Sequence, residues 1–284
     1  MISTQALELR AGARLLVKGV TVRINSGDRI GFVGRNGAGK STLAKVLAGE
    51  TMPAGGAVNR TGKIGYLPQD PRTGDEPGTV IDRILSARDL DQIASRMRAV
   101  EEEMATAQDE ALEKAMDRYT RVEAEFSAAG GYAATAEAEA IATSLGVSEA
   151  VFGNELSTLS GGQRRRIELA RILFSGAETL LLDEPTAGIN PTLINGLIDR
   201  LKRANSEFGI TLFIIEHNMR VIMNMADTIY CLAHGELLAS GSSEEIQNDP
   251  SENFTSSMNI NMPQNPVDPM KGHPKEVKNV LRNK

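Results

Sequence analysis

Short apolar runs separated by turn residues predict a series of β-strands along the chain. The predicted strands lie at 6–9, 19–24, 28–33, 63–67, 180–182, 210–215, 226–233 and 236–239. Between them, helical spacing and helix-start residues predict helices at 41–48, at 160–174 and from about Pro191. Strands that alternate with helices in this way indicate an α/β fold.

The composition changes over 79–145, where Ala, Glu, Arg and Met dominate and β-branched runs are rare. Helical spacing at 93–100 and 112–126 predicts an all-helical insertion in the α/β domain, interrupted at Gly130 and Gly131. A solvated helical hairpin is its simplest interpretation. After Gln247, Asn, Pro, Ser and Met dominate, so we expect 247–284 to be a polar, disordered tail.

The chain has 284 residues, a formal net charge of −6 and one cysteine, Cys231. Nucleic-acid binders that work by bulk charge are usually basic, so the acidic balance argues against that class and leaves local basic contacts open. A lone cysteine forms no internal disulfide, which fits a reducing compartment. The first ten residues lack the basic and apolar regions of a signal peptide, and no apolar run approaches the ~20 residues of a membrane span, so we expect neither feature. We therefore expect a cytoplasmic protein without direct membrane insertion, which reaches a membrane only through a partner.

A phosphate-binding loop is predicted after the strand at 28–33, where the chain fits the pattern G-x-x-x-x-G-K-S. Its glycines let backbone N–H groups converge on phosphate oxygens, and the following helix points its positive end at the same place. Lys40 is predicted to bridge the β- and γ-phosphates of ATP, and Ser41 to ligate Mg²⁺. The residues assigned to this nucleotide site are Gly34, Asn36, Gly37, Ala38, Gly39, Lys40, Ser41 and Thr42.

Two adjacent acids end the apolar strand at 180–182. Asp183 is predicted to hold the Mg²⁺ shell, and Glu184 to orient and deprotonate an attacking water. Taken alone, the pair would sooner be interpreted as the end of a strand in surface acids.

A second anion-binding nest is predicted at Ser160, Gly161, Gly162 and Gln163, where a serine and two glycines open a helix. One chain has no use for a nest that faces away from its own phosphate loop. Two chains placed head to tail do, because each nest then covers the γ-phosphate held by the other chain. The structural alternative is a capped helix with glycines in a turn.

These three motifs, in this order, resemble those of the ATP-binding cassette (ABC) superfamily over about residues 1–246. The resemblance implies a P-loop NTPase cassette with a RecA-like core and an inserted α-helical subdomain at about 79–162. It implies Mg-ATP hydrolysis at the interface with a second cassette, in a homodimer or with a tandem or hetero partner. It also places Gln69 as the family's magnesium- and water-sensing glutamine and His217 as its γ-phosphate histidine. Without the resemblance, His217 is interpreted as a histidine at a helix start.

Two departures from the family pattern change the expectation. The family usually stacks adenine on an aromatic residue upstream of the phosphate loop, and no aromatic residue precedes Phe32. We expect Arg14 or Leu15 to cover the base instead, with loose base selectivity. The family also usually carries an aspartate that contacts the partner cassette, and Asn190 stands near that place, so the contact loses a charge.

Different parts of the chain resemble different branches of the superfamily. Residues 1–186 resemble the ABC-F proteins, which carry two cassettes and act on ribosomes, in GYLPQD at 65–70 and LSGGQRRR at 159–166. Residues 187–246 resemble the ATPase subunits of branched-chain amino-acid importers, in AGINPT and IEHNMRVI. The chain is therefore interpreted as a mosaic with a seam near 186–190. A recombinant, an assembly artefact and a designed chimera are all open as its origin.

The two branches imply different partners. An ABC-F-like cassette implies the ribosome, and the ABC-F-like surface around Gln69 favours this soluble role. An importer subunit implies a transmembrane permease, and a single cassette favours this alternative. A third class, a nucleotide-binding scaffold without catalysis, is opposed by the intact Lys40, Asp183, Glu184 and His217.

Overall fold

The computed structural model describes residues 1–70 and 78–248, so the predicted tail lies outside the described residues from 249 onward. The strands of the described chain are β1 (Ile2–Ala11), β2 (Arg14–Val20), β3 (Arg23–Ile24), β4 (Arg29–Gly34), β5 (Gly55–Arg60), β6 (Ile64–Leu67), β7 (Thr179–Asp183), β8 (Thr211–Ile215), β9 (Thr228–Ala233) and β10 (Glu236–Gly241). Its helices are α1 (Lys40–Ala48), α2 (Val80–Leu85), α3 (Asp91–Thr106), α4 (Asp109–Ala128), α5 (Gly131–Ser144), α6 (Gly161–Phe174), α7 (Pro191–Phe208), α8 (Met219–Met225) and α9 (Ser243–Gln247). The α/β fold predicted from the sequence is confirmed.

Two sheets form the framework. The larger has the order β10-β9-β4-β8-β7-β6 and is parallel except for the pairing of β9 with β10. The smaller is antiparallel, with β1 paired to β2, β3 and β5. Every residue of β7 and β8 is buried, because both faces of this part of the parallel sheet are covered.

The two faces of the parallel sheet support separate apolar cores. Along β7, Leu180 and Leu182 face the core that contains α6 and α7, whereas Leu181 faces the core that contains α1 and the antiparallel sheet. This alternation follows from the two-residue repeat of side-chain direction along a strand. The parallel sheet is thus held on one side by the helices and on the other by the second sheet.

The carboxyl ends of β4, β7 and β8 lie side by side. In the register of the sheet, Ile215 is the Cα partner of both Phe32 and Asp183. The chain segments that leave these three strands therefore start at one edge of the sheet, the edge at which open α/β folds bind their ligands.

The predicted helical insertion contains α2 to α5. Helices α3 and α4 pack on each other and expose most of their surface, since only Ala94 in α3 and Ala115 and Phe126 in α4 are buried. An ion pair of 2.7 Å between Arg96 and Glu125 joins the two helices. The solvated hairpin expected from the composition is confirmed for this pair.

Three local predictions needed correction. The single strand predicted at 19–24 is divided between β2 and β3, because the Thr4 side chain interrupts the ladder: its hydroxyl accepts a hydrogen bond from Val22 N (2.8 Å) and donates one to Val20 O (3.1 Å). Strand β5 was not predicted, since its sequence lacks an apolar alternation. The residues Ser243, Glu244 and Glu245 predict the cap of a last short helix; this helix is α9, and its N-cap is Ser242.

None of the helices within 1–70 and 78–248 combines the length and apolar character that a bilayer crossing requires.

Replacing glycine by alanine is expected to change the free energy of unfolding in opposite directions at two positions. A Cβ on Gly65 in β6 would lie 2.6 Å from Ile172 of α6, whereas a Cβ on exposed Gly196 in the interior of α7 would meet no atom within 4 Å. We expect Gly65→Ala to lower the free energy of unfolding by ~1–3 kcal/mol through overpacking. We expect Gly196→Ala to raise it by ~0.5–1 kcal/mol, because alanine is the better helix former. Urea denaturation of both variants measures the two signs, and an unchanged Gly65→Ala protein would contradict tight packing of α6 on β6.

Candidate nucleotide-binding site

The loop between β4 and α1 has the conformation that phosphate binding requires. Gly37 and Gly39 have φ angles of 77° and 100°, in the left-handed region that favours glycine. Gly39 is the N-cap of α1, and no side chain of the described residues caps this helix. The first N–H groups of α1 therefore face the loop without a partner in the helix.

Lys40 lies across this loop and is only 6% exposed. Its ammonium donates hydrogen bonds to the carbonyl oxygens of Gly34 (2.7 Å) and Arg35 (3.1 Å). Burial lowers the pKa of Lys40, and the nearby charges of Glu184 and Asp183 oppose that shift. A buried cation at this place is poised to exchange its carbonyl contacts for phosphate oxygens.

A cavity of about 490 Å³ opens over the loop, within the size range of small-molecule sites. It is lined by Ala11, Arg14, Leu16, Asn36, Gly37, Gly39, Lys40, Ser41, Thr42, Gln69 and Glu184. Most of the residues predicted for the nucleotide are therefore brought together, and Ala38 instead packs against the core.

The residues predicted to cover the base are partly corrected. Arg14 lines the cavity, but Leu15 does not, and it is 42% exposed. Side chains alternate along β2, so Arg14 and Leu16 share the face toward the cavity while Leu15 points to the opposite face.

Asp183 ends β7 and is buried, 1% exposed, and neither of its carboxylate oxygens has a hydrogen-bond partner within the described structure. Burial raises the pKa of Asp183, and the neighbouring Ser41 hydroxyl only partly opposes the shift. An orphaned buried carboxylate beside a serine hydroxyl is a suitable donor set for Mg²⁺, which prefers a few oxygen ligands together with phosphate and water. No group of three or more His, Cys, Asp or Glu within the described ranges forms a metal site of its own.

Glu184 lies between Gln69 and His217, the two polar residues that the family resemblance placed at the site. Its carboxylate accepts a hydrogen bond of 3.0 Å from the Gln69 amide through Oε2, and its Oε1 lies 3.6 Å from His217 Nδ1. Its side chain is 13% exposed, and its backbone has a φ of 52°. A non-glycine residue in this strained region is common at functional sites.

The predicted nest at the start of α6 is a capping box. Ser160 Oγ accepts a hydrogen bond from Gln163 N (3.3 Å), and Gln163 Oε1 accepts one from Ser160 N (3.0 Å). The structural alternative is thus realised, and the first N–H groups of the helix, at Gly161 and Gly162, have no partner within the helix. The residues of the nest, Ser160, Gly161, Gly162 and Gln163, do not line the cavity over the phosphate loop.

The turn after Glu184 packs against this nest. A Cβ on Gly162 would lie 2.7 Å from the carbonyl oxygen of Gly188, so the close approach requires glycine there. Asn190, expected to replace an aspartate at the partner contact, caps α7 through a hydrogen bond of 3.0 Å from Thr192 N.

Arg165 is a site residue that the sequence interpretation missed. It is 4% exposed, and its guanidinium donates hydrogen bonds to the backbone carbonyls of Gln69, Asp183 and Glu184. Its signal in the sequence is its position on the apolar face of α6, at helical spacing before the buried Leu169 and Ile172.

Glu216 is a second missed residue. It is fully buried, and its Oε1 accepts hydrogen bonds from Thr186 N (2.9 Å) and Thr186 Oγ1 (2.6 Å). Its Oε2 lies 3.9 Å from His217 Nδ1. The carboxylate thus fixes the turn after Glu184 to the segment that carries His217.

Comparison with known proteins assigns this arrangement to a family. The family model described as ABC transporter matches residues 17–187, more than half of the chain. The chain belongs to the ABC transporter family. It is an ATP-binding cassette ATPase, and the family resemblance of the motifs is confirmed.

The relatives of this cassette include proteins of both kinds that its sequence resembles. The tylosin resistance ATP-binding protein TlrC of Streptomyces fradiae is 38% identical over 205 residues, which are 70% of this chain and 37% of TlrC. The high-affinity branched-chain amino acid transport ATP-binding protein LivG of Escherichia coli K12 is 30% identical over 251 residues, which are 88% of this chain and 94% of LivG. The chain therefore spans little more than a third of the first relative and nearly all of the second.

Solved structures share the fold. A nucleotide-free ATP-binding cassette from an ABC transporter has a TM-score of 0.66 at 23% identity and covers 92% of this chain and 99% of its own. A dimeric cassette in a post-hydrolysis state, bound to ADP and Pi, has a TM-score of 0.59 at 18% identity and covers 86% of this chain and 99% of its own.

The buried carboxylate of Asp183 gives a pH-dependent prediction for the free protein. Its pKa is raised on folding, so its ionisation costs stability as the pH rises through the folded-state value. Without Mg²⁺ and nucleotide, we expect the melting temperature of Asp183→Asn at pH 7 to be a few degrees higher than that of the native protein. In a chain of this size, such a shift corresponds to ~1 kcal/mol of stability. The advantage should shrink as the pH falls toward ~4 and vanish below ~3, where an aspartate is protonated in both states.

Scanning calorimetry in EDTA between about pH 3 and pH 8 measures this difference. The matched control is Asp199→Asn on the exposed surface of α7, which should leave the melting temperature unchanged. A lower melting temperature for Asp183→Asn at pH 7 would mean that the charge of Asp183 stabilises the free protein.

Proposed function

We propose that this cassette hydrolyses Mg-bound ATP with Glu184 as general base, in a site that a second cassette completes. The observation that carries the proposal is the Glu184 carboxylate, which lines the nucleotide cavity while the Gln69 amide and the His217 imidazole flank its two oxygens. A base must be held toward the water it deprotonates, and these two side chains supply that orientation.

Phosphate binding is assigned to the loop and to Lys40. Asn36, Gly37, Gly39 and Thr42 line the cavity, and α1 directs its uncapped N-terminus there. The Lys40 ammonium bridges the β- and γ-phosphates in this proposal, since it lies at the cavity wall and is already desolvated. Gly34 and Ala38 shape the loop through their backbone.

Magnesium is assigned to Asp183, Ser41 and Gln69. The two orphaned oxygens of Asp183 lie beside Ser41, and the Gln69 amide reaches the same cavity. When bound, the ion would neutralise charge on the β- and γ-phosphates. These three residues would hold the ion, and Glu184 would remain available for the water.

The nest is assigned to the contact with a second cassette. Gly161 and Gly162 present N–H groups that favour an anion, and the nest does not line the cavity of its own chain. In a two-fold arrangement each nest would cover the γ-phosphate held by the other chain, because such an interface is isologous. The dimeric post-hydrolysis cassette of the same fold supports this arrangement.

The proposed role is that of a soluble ABC-F-like cassette that acts on the ribosome. It is supported by the ABC-F-like segments and by the 38% identity to a resistance ATP-binding protein. Helices α3 and α4 carry ten acidic and five basic residues, a difference of five negative charges. A ribosomal contact of this hairpin would therefore favour basic protein surfaces over RNA phosphates.

A second candidate is the ATPase subunit of a branched-chain amino-acid type importer. One observation favours it specifically: the alignment with LivG covers 94% of that protein. In this case the partner would be a transmembrane permease.

The first test of the proposal replaces Glu184. Glu184→Gln keeps the size and hydrogen bonding of the side chain but removes the base. We expect ATP hydrolysis to fall by ~10²-fold or more, while ATP still binds and now holds two cassettes together. Hydrolysis at the native rate would exclude Glu184 as the base.

The same variant identifies the partner. Glu184→Gln protein is expressed in cells, where it should retain ATP. The amounts of the variant in the ribosomal and membrane pellets are then compared. We expect ATP-dependent enrichment in the ribosomal pellet, with Lys40→Ala as the control that cannot hold nucleotide. Enrichment in the membrane pellet with a permease would establish the importer alternative.

A second test addresses the shared site by mixing two inactive variants. Lys40→Ala breaks the loop, and Ser160→Arg blocks the nest. In a mixed dimer both lesions fall in one composite site, and the other site has an intact loop and an intact nest. We expect the mixture to hydrolyse ATP above the sum of the two variants alone. Hydrolysis by the native protein that is strictly monomeric at all concentrations would contradict the shared site.

A further inference from the structure

Arg165 joins three segments of the site that are distant in sequence. From the first turns of α6 it donates hydrogen bonds to the carbonyl oxygens of Gln69, Asp183 and Glu184. These carbonyls belong to the segment after β6 and to the end of β7. The guanidinium suits this task, because its fixed fork presents several donors at once, whereas an ammonium is a point charge.

The burial of Arg165 shows that its contacts are specific. The side chain lies on the apolar face of α6, where burial lowers its pKa against the charges of Glu216, Asp183 and Glu184. A buried cation is costly unless hydrogen bonds and opposite charges compensate it. Both kinds of compensation here come from the catalytic segments, so the placement of α6 and the placement of these segments depend on each other.

The nest and the base are connected through the same helix. Ser160 caps α6, and Arg165 lies five residues further along it, ~7.5 Å at the rise of an α-helix. The residues held by Arg165 are those whose side chains meet at the base, since the Gln69 amide donates a hydrogen bond of 3.0 Å to Glu184. A shift of α6 would therefore displace the backbones of Gln69 and Glu184.

We propose that Arg165 is a positioning residue that couples occupation of the nest to the geometry of Glu184. An anion bound at the Ser160 end of α6 sets the position of the helix, and Arg165 transmits that position to the carbonyls of Gln69 and Glu184. The inference rests on the proposed function, because it assumes Glu184 as the base and the nest as the contact with the second cassette.

The test compares Arg165→Lys and Arg165→Met with the native protein. Lysine keeps the charge but cannot bond all the carbonyls at once, so we expect kcat to fall about 10-fold, and about 100-fold or more for methionine. ATP affinity by calorimetry should stay within about 3-fold in both, because neither substitution touches the loop that holds the phosphates. Loss of kcat with preserved binding separates misplacement of the base from loss of the nucleotide site.

The matched control is Arg88→Lys. Arg88 also donates to a carbonyl of α6, at Phe174 (2.6 Å), but at the opposite end of the helix, ~20 Å from its start. It should keep the native kcat. If Arg165 served only to anchor α6, both lysine variants would lose activity in proportion to their loss of melting temperature.

A double-mutant cycle with Gln69→Ala tests the route of the effect. If Arg165 acts through Gln69 and Glu184, Arg165→Lys should reduce kcat less in the Gln69→Ala background than in the native one. A native kcat in Arg165→Lys would overturn the inference. If Arg165→Met does not fold, Arg165→Lys and the cycle still decide. Failure of the proposed function would instead appear in the native protein, as absent hydrolysis, or in Glu184→Gln, as undiminished hydrolysis.

Discussion

The arrangement of the site depends on charged side chains that are buried at the carboxyl edge of the parallel sheet. Asp183 and Glu216 are buried at the ends of β7 and β8, and Glu184 is nearly so. Burial raises the pKa of Asp183, and the nearby charge of Glu184 adds to that shift. Lys40 and Arg165 are the buried cations placed among them, and burial lowers the pKa of each. The cluster is therefore stable only when loop, strands and α6 keep their relative positions.

Two features of the same cluster lower the stability of the free protein. The orphaned oxygens of Asp183 and the left-handed backbone of Glu184 both cost free energy in the free protein. The apolar residues of β7 pack the strand between two cores, and neither feature belongs to those cores. Energetic costs of this kind cluster at functional sites, which agrees with the roles proposed for both residues.

Sequence reasoning reached the elements and residues that local patterns specify. The strands β4, β7 and β8, the helix α1 and the loop that contains Lys40 follow from apolar runs and glycine spacing. It missed Arg165 and Glu216, whose partners are Glu184 and Thr186, because their role depends on contacts between segments far apart in the chain. It left Arg14 and Leu15 as alternatives at the base for a related reason: only the register of β2 decides which of the two faces the cavity. Local pattern gives element type, whereas side-chain partners follow from tertiary contacts.

The two resemblances in the sequence do not correspond to two units of the structure. Strand β8, from the importer-like part, lies between β4 and β7, which both come from the ABC-F-like part. Glu216 binds Thr186 across the seam, and Gly188 contacts Gly162 at the nest. Each half thus completes the core and the site of the other. A junction in the turn at 186–190 interrupts no strand and no helix of the described chain, because this turn follows β7 and precedes α7. Exchange of the following segment is therefore compatible with the fold only where residues such as Glu216 retain their partners, and here they do.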